Sequence, residues 1–481
     1  MNITAKHWIN GEWMAPSQAE VLASINPANQ NVLGEFSSAG RQLALDAISA
    51  ARHAFRSTDW AHQPRVRETV LLQYADRLES ELPALAALLT AENGKLLAES
   101  TGELKATVSE LRYYAGLARN IFGRVSEMEP GLFSTLSREP LGVAGIIVPW
   151  NAPAVLMVRS LAPALAAGCT AVVKSAPQTA LFSAELFRIL AEVRELPPGA
   201  VNLFTETGSE GAEALVDSVD VDVISYTGST GIGKRIMAAG AATLKRMNLE
   251  LGGSAPCIVF EDADLSAAAP ALVSAGMFMA GQYCCSATRV LAHNSVLDQT
   301  RDALAQAMNK VVVGPGDREG SQMGPLIDEG GRQRVKDLLQ SAAKTDEVIC
   351  GGEALGGELS EGFFLSPALV YAPKPESVVY SEEVFGPVLV LDGFEDEEEA
   401  IYKANDTRYG LAASIWSSNL RKSQRVANKV ESGTIWINSH GRTFAEIENG
   451  GYKESGIGRL HGVEGLAEFM QTKHISWSTE R

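Results

Sequence analysis

The spacing of apolar residues in the first 140 positions predicts two kinds of structure in turn. Short polar–apolar alternations up to residue 36, broken by turn signals such as Asn10-Gly11, predict edge strands. Apolar residues at helical spacing then predict a block of helices over 41–57, 65–92 and 99–122. Alternation returns around Pro130-Gly131, which predicts a β-hairpin over 125–139.

From residue 141 onward, apolar runs alternate with amphipathic stretches. Strands are predicted at 141–150, 170–176, 200–206 and 222–228, and helices at 153–167, 179–194, 209–217 and from Thr230. A second alternating block follows the strand signals in 247–260, includes a helix at 264–280, and ends near residue 437. The tail over 468–479 alternates as a strand. Such alternation predicts parallel sheets covered by helices, with ligands at the carboxyl ends of the strands.

Composition narrows the class of protein. A chain of 481 residues has room for about two to four domains. No apolar run reaches the ~20 residues of a membrane span, and the polar start lacks a signal peptide, so we expect a cytoplasmic protein without a membrane segment. The net charge of -17 argues against non-specific nucleic-acid binding and is typical of a soluble surface.

The cysteines are few and odd in number: Cys169, Cys257, Cys284, Cys285 and Cys350. This usage favours reduced thiols over a disulfide framework. None of the pairs has C-x-x-C spacing, so we predict no structural zinc.

Two residues are candidates for acid–base and nucleophilic chemistry. Cys284, in MFMAGQYCCSATR, follows a helical pattern and a glycine that permits close backbone approach. Its thiolate would be a nucleophile, while the alternative is that Cys284 and Cys285 are small buried apolar residues. Glu250, in LELGG, ends a predicted strand and would act as a general base on water, or would form a surface ion pair.

Further candidates stand at the ends of other predicted strands. Asn151 offers a side-chain N–H to a developing oxyanion, or serves as an Asx turn or helix N-cap. Lys174 would hold a ribose or a phosphate. The segment TGSTGIG (227–233) joins a strand to a helix, which suits a pyrophosphate or makes a plain turn.

Seven motifs in order carry a resemblance to the aldehyde dehydrogenase superfamily: PWN (149–151), the lysine at 174, TGST (227–230), LELGG (249–253), GQYCC (281–285), EEVFGP (382–387) and GGYKESGIGR (450–459). The resemblance implies an α/β fold with a Rossmann-like cofactor domain, an α/β catalytic domain and a small β-hairpin oligomerisation flap. The implied boundaries are 1–121 with 141–252 for the cofactor domain, 253–452 for the catalytic domain, and 122–140 with 466–479 for the flap.

The same resemblance implies roles for individual residues. Cys284 is expected to be the nucleophile, Asn151 the oxyanion donor and Glu250 the general base in NAD(P)-dependent oxidation of an aldehyde to an acid. Cofactor contacts are expected from Trp150, Lys174, Pro177, Gly228, Ser229, Gly231, Glu250, Leu251, Glu383 and Phe385. The resemblance also implies a homodimer or a homotetramer.

Two positions depart from the family pattern. Many NAD-preferring members have a glutamate where this chain has Pro177, and losing that carboxylate removes a group that repels a 2′-phosphate. We therefore expect NADP+ to be accepted beside NAD+, or preferred. Ser254 replaces a lysine that is usual after ELGG, and the sequence offers no physical reason.

The substrate is expected to be a bulky or aromatic aldehyde. Ala152 replaces a phenylalanine and widens the pocket, which Phe278, Tyr283 and Phe444 would line. The alternative is an acidic semialdehyde, because Arg159 matches one of two arginines of succinate-semialdehyde dehydrogenases. The second arginine is Phe278 here. Members that acylate coenzyme A generally lack the Glu250 carboxylate, and non-catalytic members would not need it.

Overall fold

A computed structural model describes residues 3–15 and 20–479. Residues 1–2 and 16–19, which belong to the predicted cofactor domain, lie outside the described part, as do residues 480–481. The first elements are strands β1 (Ile3–Ala5), β2 (His7–Ile9), β3 (Glu12–Met14), β4 (Val21–Ile25) and β5 (Val32–Ser37). Strands β2 and β3 pair antiparallel, and their turn holds Asn10 and Gly11 at φ 52° and 82°.

The helical block comprises α1 (Arg41–Ser57), α2 (Pro64–Ser80), α3 (Leu82–Asn93) and α4 (Leu97–Ala118). The helical pattern over 65–92 is divided between α2 and α3, which meet at Glu81. Pro83 stands in the first turn of α3 and has no N–H, so it suits a helix start better than a helix interior. Helix α3 ends at Gly94, whose φ of 88° is the left-handed C-terminal conformation that favours glycine.

The predicted hairpin and the alternating block are both present. Strands β6 (Arg124–Glu129) and β7 (Leu132–Pro140) flank Gly131. The next elements are β8 (Val143–Ile147), α5 (Pro153–Ala167), β9 (Thr170–Ser175), α6 (Ala180–Ala191), β10 (Val201–Thr205), α7 (Glu210–Asp217), β11 (Val223–Thr227), α8 (Thr230–Gly240) and β12 (Arg246–Glu250). Five of these strands run parallel in the order β12-β11-β8-β9-β10, and the β2–β3 hairpin extends the β10 edge.

The second alternating block forms a sheet of its own. Its elements are β13 (Ala255–Val259), α9 (Leu265–Met277), β14 (Ala287–His293), α10 (Leu297–Met308), α11 (Glu329–Ala342), β15 (Glu347–Cys350), β16 (Ala368–Tyr371), α12 (Val378–Ser381), β17 (Val388–Phe394), α13 (Glu397–Asn405), β18 (Ala412–Trp416), α14 (Leu420–Ala427) and β19 (Thr434–Ile437). The strand order is β15-β16-β17-β14-β13-β18-β19, and β15 alone pairs antiparallel.

The chain then returns to the first sheet and to the hairpin through β20 (Gly456–Ile457), α15 (Gly462–Ala467) and β21 (Met470–Ser478). Strand β20 pairs antiparallel with the end of β12, opposite Leu249 and Glu250. Strand β21 pairs with β7 from Met470 to Ser478, as the resemblance to the family implied. We call β6, β7 and β21 the flap sheet.

Buried apolar residues fall into separate clusters. One packs α2, α4 and α5 against one face of the first sheet, and another packs α1 and α7 against the opposite face. A further cluster surrounds the second sheet. Helices on both faces of the first sheet agree with the α/β expectation. The exact domain boundaries remain a prediction. Among the described residues, no helix is long and apolar enough to cross a membrane.

Candidate active site

A cleft of about 920 Å³ lies at the carboxyl ends of the strands of the first sheet. It is bordered by the loop over 278–286, which carries Cys284 and which we call the nucleophile loop. The carboxyl ends of the strands are the edge at which open parallel sheets present ligand-binding groups. The predicted residues that line the cleft are Trp150, Asn151, Lys174, Pro177, Gly228, Ser229, Glu250, Leu251, Cys284, Glu383 and Phe385. Gly231 lies in the first turn of α8, whose next residue, Ile232, lines the cleft.

Cys284 follows a strained turn that begins where α9 ends. Met279 and Ala280 have φ of 50° and 54°, a left-handed conformation that is costly for residues with a Cβ. The turn is fixed at Met279, whose N–H donates to Glu99 Oε1 at 2.8 Å and whose carbonyl accepts from Gln282 Nε2 at 3.0 Å. The following Cys284 is half-buried and reaches the cleft.

Asn151 lies directly against the loop that carries the cysteine. Its side-chain Nδ2 donates to the carbonyl of Gln282 at 3.0 Å. An amide nitrogen has two hydrogens, so one remains for an oxygen atom held beside Cys284. The geometry therefore suits stabilisation of a developing oxyanion.

A buried ion pair fixes the main chain at Asn151. The Lys95 ammonium donates to the Asn151 carbonyl at 2.6 Å and to Glu103 Oε2 at 2.6 Å. Glu103 also accepts from the N–H of Ala154 at 2.8 Å, and Asn93 Nδ2 donates to the Trp150 carbonyl at 2.8 Å. The helical patterns do not predict these contacts, although the polar residues Asn93 and Lys95 stand between two predicted helices.

Glu250 is the last residue of β12 and is 4% exposed. Burial raises the pKa of its carboxyl group to about 7, against the opposing effect of Arg159 and smaller effects of His461 and Arg459. A carboxylate with a pKa near neutrality suits general base catalysis, because it is both substantially ionised and a better proton acceptor than an ordinary glutamate.

Glu383 approaches the main chain just after Glu250. Its Oε1 accepts from the N–H of Gly253 at 3.1 Å, and a Cβ on Gly252 would lie 2.4 Å from its Oε2. Burial raises the pKa of Glu383 to about 7. Phe385 has a φ of 52°, and its ring meets Trp150 edge-on at 5.7 Å between centroids. A side chain at Gly252 would thus displace the Glu383 carboxylate, whereas a Cβ on Gly253 would lie 2.3 Å from the carbonyl oxygen of Cys284.

The other end of the cleft has features that suit phosphate and ribose groups. Helix α8 begins at Thr230 with Ser229 as its N-cap, so its first N–H groups face the cleft wall. Any Cβ at Gly228 would lie 2.3 Å from the Tyr226 hydroxyl, which requires glycine there. Lys174 lines the same cleft, and burial lowers its pKa. These groups fit a dinucleotide.

The four residues that were predicted to bind the substrate do not all line one pocket. The rings of Phe278 and Tyr283 are in edge contact at 5.4 Å, and Tyr283 packs with Ala152 and Leu156. Phe278 also lines a second cavity, of about 770 Å³. Phe444 is 57% exposed. Arg159 is outside the set that lines the main cleft and points toward Glu250.

Several cleft residues went unnoticed in the sequence: Gln178, Ser209, Glu213, Arg235 and Arg334. Thr227, from the predicted TGST motif, also lines the cleft, because it ends β11 at the sheet edge where Lys174 lies near the end of β9. Arg334 comes from α11, whose approach to Glu383 depends on the tertiary fold.

The model of the aldehyde dehydrogenase family matches residues 13–475. The chain belongs to that family. The predicted resemblance, the α/β fold and the assignment as an NAD-dependent aldehyde dehydrogenase are thereby confirmed.

Relatives whose names state a substrate align with nearly the whole of this chain. Betaine aldehyde dehydrogenase of Bacillus subtilis (strain 168) is 37% identical over 477 residues, 98% of this chain and 97% of the relative. Mitochondrial succinate-semialdehyde dehydrogenase of Arabidopsis thaliana is 36% identical over 97% of this chain and 88% of its own. The crystal structure of Staphylococcus aureus betaine aldehyde dehydrogenase with NAD+ superposes with a TM-score of 0.97, at 37% identity, over 99% of this chain and 95% of that one.

Proposed function

We propose that this enzyme oxidises an aldehyde to its carboxylic acid, with Cys284 as nucleophile, Asn151 as oxyanion donor and Glu250 as general base. The observation that carries the proposal is the meeting of these three side chains in one cleft, although they come from three separate segments. The Cys284 thiolate attacks the carbonyl carbon. A C–S bond forms, and the carbonyl electron pair moves to oxygen, where Asn151 Nδ2 donates a hydrogen bond. One such donor is worth ~2.7–4 kcal/mol.

The nicotinamide cofactor would be held by Glu383, Lys174, Ser229 and the start of α8, and when bound it supplies the hydride acceptor. Hydride loss converts the adduct on Cys284 to a thioester. Glu250 then takes a proton from water as the water oxygen bonds to the acyl carbon. The C–S bond breaks, the thiolate of Cys284 leaves, and the acid is released.

Two variants test this assignment. Cys284→Ala is expected to bind cofactor but to lose aldehyde oxidation, because no adduct forms. Glu250→Gln is expected to give one rapid burst of reduced cofactor per active site and then to stall at the thioester. Stopped-flow absorbance of the reduced nicotinamide measures both. Steady-state oxidation at the wild-type rate in either variant would refute the assigned roles.

The proposed cofactor is NAD+ or NADP+. Pro177 stands beside Lys174 in the cleft wall, so no carboxylate occupies that position to repel a 2′-phosphate. Arg235 also lines the cleft and offers a positive charge, while Glu213 and Asp217 line it with negative charges. The relative described above was crystallised with NAD+, which supports binding of at least that cofactor.

The proposed substrate is a bulky or aromatic aldehyde. The edge-to-face pair of Phe278 and Tyr283 and the small side chain of Ala152 support this choice. Betaine aldehyde, the substrate named for two relatives, would also find aromatic rings favourable through its cationic group. We expect kcat/KM to be higher for benzaldehyde than for succinic semialdehyde or betaine aldehyde. Initial rates with the three aldehydes decide the order, and a preference for either charged aldehyde would exclude the proposed class.

A further inference from the structure

Arg159 matches an arginine of succinate-semialdehyde dehydrogenases, but its surroundings differ from those of a residue that binds a substrate. It lies on α5, two turns after Asn151, and is 5% exposed. Its Nη2 donates to Thr227 Oγ1 at 2.9 Å and lies 4.0 Å from Glu250 Oε2. Its guanidinium therefore connects the predicted base with the strand end that borders the cofactor cleft.

The contact between Arg159 and Glu250 is an ion pair without a hydrogen bond. At 4.0 Å the two atoms are too far apart for a hydrogen bond. Within the described part of the chain, Arg159 Nε and Glu250 Oε1 are both buried without a hydrogen-bond partner. The charge of the Arg159 guanidinium thus attracts the Glu250 carboxylate, while Glu250 Oε1 can still accept a hydrogen bond from a water molecule.

Other charged and titratable groups face Glu250 from three directions. Arg159 comes from α5, Arg459 and His461 come from the segment after β20, and the Cys285 thiol comes from the nucleophile loop. Among Arg159, His461 and Arg459, Arg159 has the largest effect in lowering the Glu250 pKa. His461 is in turn paired with Glu110 at 2.9 Å.

We propose that Arg159 is a positioning residue for Glu250, which it keeps ionised and in place for hydrolysis of the thioester whatever aldehyde has been oxidised. The inference rests on the proposed role of Glu250 as general base. The guanidinium is anchored on Thr227, which holds it beside the Glu250 carboxylate. A ligand for a substrate carboxylate would instead affect acidic aldehydes alone.

Two substitutions in the full-length enzyme separate charge from hydrogen bonding. Arg159→Gln keeps a donor for Thr227 but removes the charge, and Arg159→Lys keeps the charge. An opposite charge within ~4–6 Å lowers a carboxyl pKa by roughly 1–3 units. We therefore expect Arg159→Gln to retain the burst of reduced cofactor while the pH midpoint of the steady-state rate rises by at least about one unit. Below both midpoints the steady-state rate is then at least about tenfold lower.

The measurement is the burst and the steady-state rate across the neutral pH range, with benzaldehyde and with succinic semialdehyde. Arg159→Lys should keep the midpoint near that of the wild type. A Gln variant with an unshifted midpoint, or a defect confined to KM for succinic semialdehyde, would overturn the positioning role. Failure of the proposed function is a distinct result, because the wild type would then show no burst or Glu250→Gln would turn over normally.

Discussion

Cys284 and Cys285 are neighbours in sequence whose thiols have different surroundings. Their sulfur atoms are 4.0 Å apart, yet Cys284 is half-buried at the cleft, whereas Cys285 is buried among Ala255, Leu411 and Trp436. The pKa of the Cys285 thiol is raised by its contact with Cys284 and by burial. Adjacent residues of one type thus differ in their access to the cleft, which is how one of two equal side chains becomes the candidate nucleophile.

The side chain at position 177 is predicted to select between the two cofactors. We expect Pro177→Glu to lower kcat/KM for NADP+ by about tenfold or more relative to NAD+, because a carboxylate beside Lys174 would repel a 2′-phosphate. Pro177→Gln is the matched control, since it also removes the proline but adds no charge. Initial rates with the two cofactors measure the effect. Equal responses of the Glu and Gln variants would show that the charge at this position does not select the cofactor.

At the scale of elements, the connection between α3 and α4 fixes the main chain of the site at Trp150 and Asn151. Asn93, the last residue of α3, and Lys95 in the turn donate to the carbonyls of Trp150 and Asn151, and Glu103 from α4 accepts from the start of α5. Lys95 and Glu103 are both buried, so removing either would leave a charge without its partner in the interior. A connection between two helices therefore fixes the strand end from which the oxyanion donor projects.

Most elements were predictable because their signals are local. Periodicity located α5, β9 and the flap hairpin within a few residues, and motif order supplied the family. The two-residue strand β20 gave no local signal, because it exists through pairing with β12. The ion pair between Arg159 and Glu250 was also missed, since it joins residues from different elements and periodicity carries no information about such distances.

At the scale of the whole molecule, the flap sheet exposes apolar side chains to solvent. Val125 is 66% exposed and Ile475 is 50% exposed, on the two outer strands of that sheet. The edges of β6 and β21 offer backbone groups for pairing as well. We propose that a second copy of this chain covers the flap sheet, as the family resemblance implies.

Lysine substitutions test this assembly. The double substitution Val125→Lys and Ile475→Lys is expected to convert the oligomer to a monomer, because burying two charged side chains opposes association. Leu420→Lys is a control, since Leu420 is also exposed but lies on α14, away from the flap sheet. Sedimentation velocity measures the masses. A monomeric wild type, or an oligomer that survives the double substitution, would contradict the proposed interface.

The buried Lys95–Glu103 pair has a consequence for redesign of substrate range. It holds Asn151 through the main-chain carbonyl, while the side chain of the donor is held by the carbonyl of Gln282. Ala152, the next residue, packs with Leu156, Met279 and Tyr283. Met279 Sδ also lies 3.5 Å from Lys95 Nζ, so a larger side chain at residue 152 would press on the anchor of the oxyanion donor as well as on Tyr283. The choice of aldehyde and the chemistry performed on it are therefore coupled at this residue.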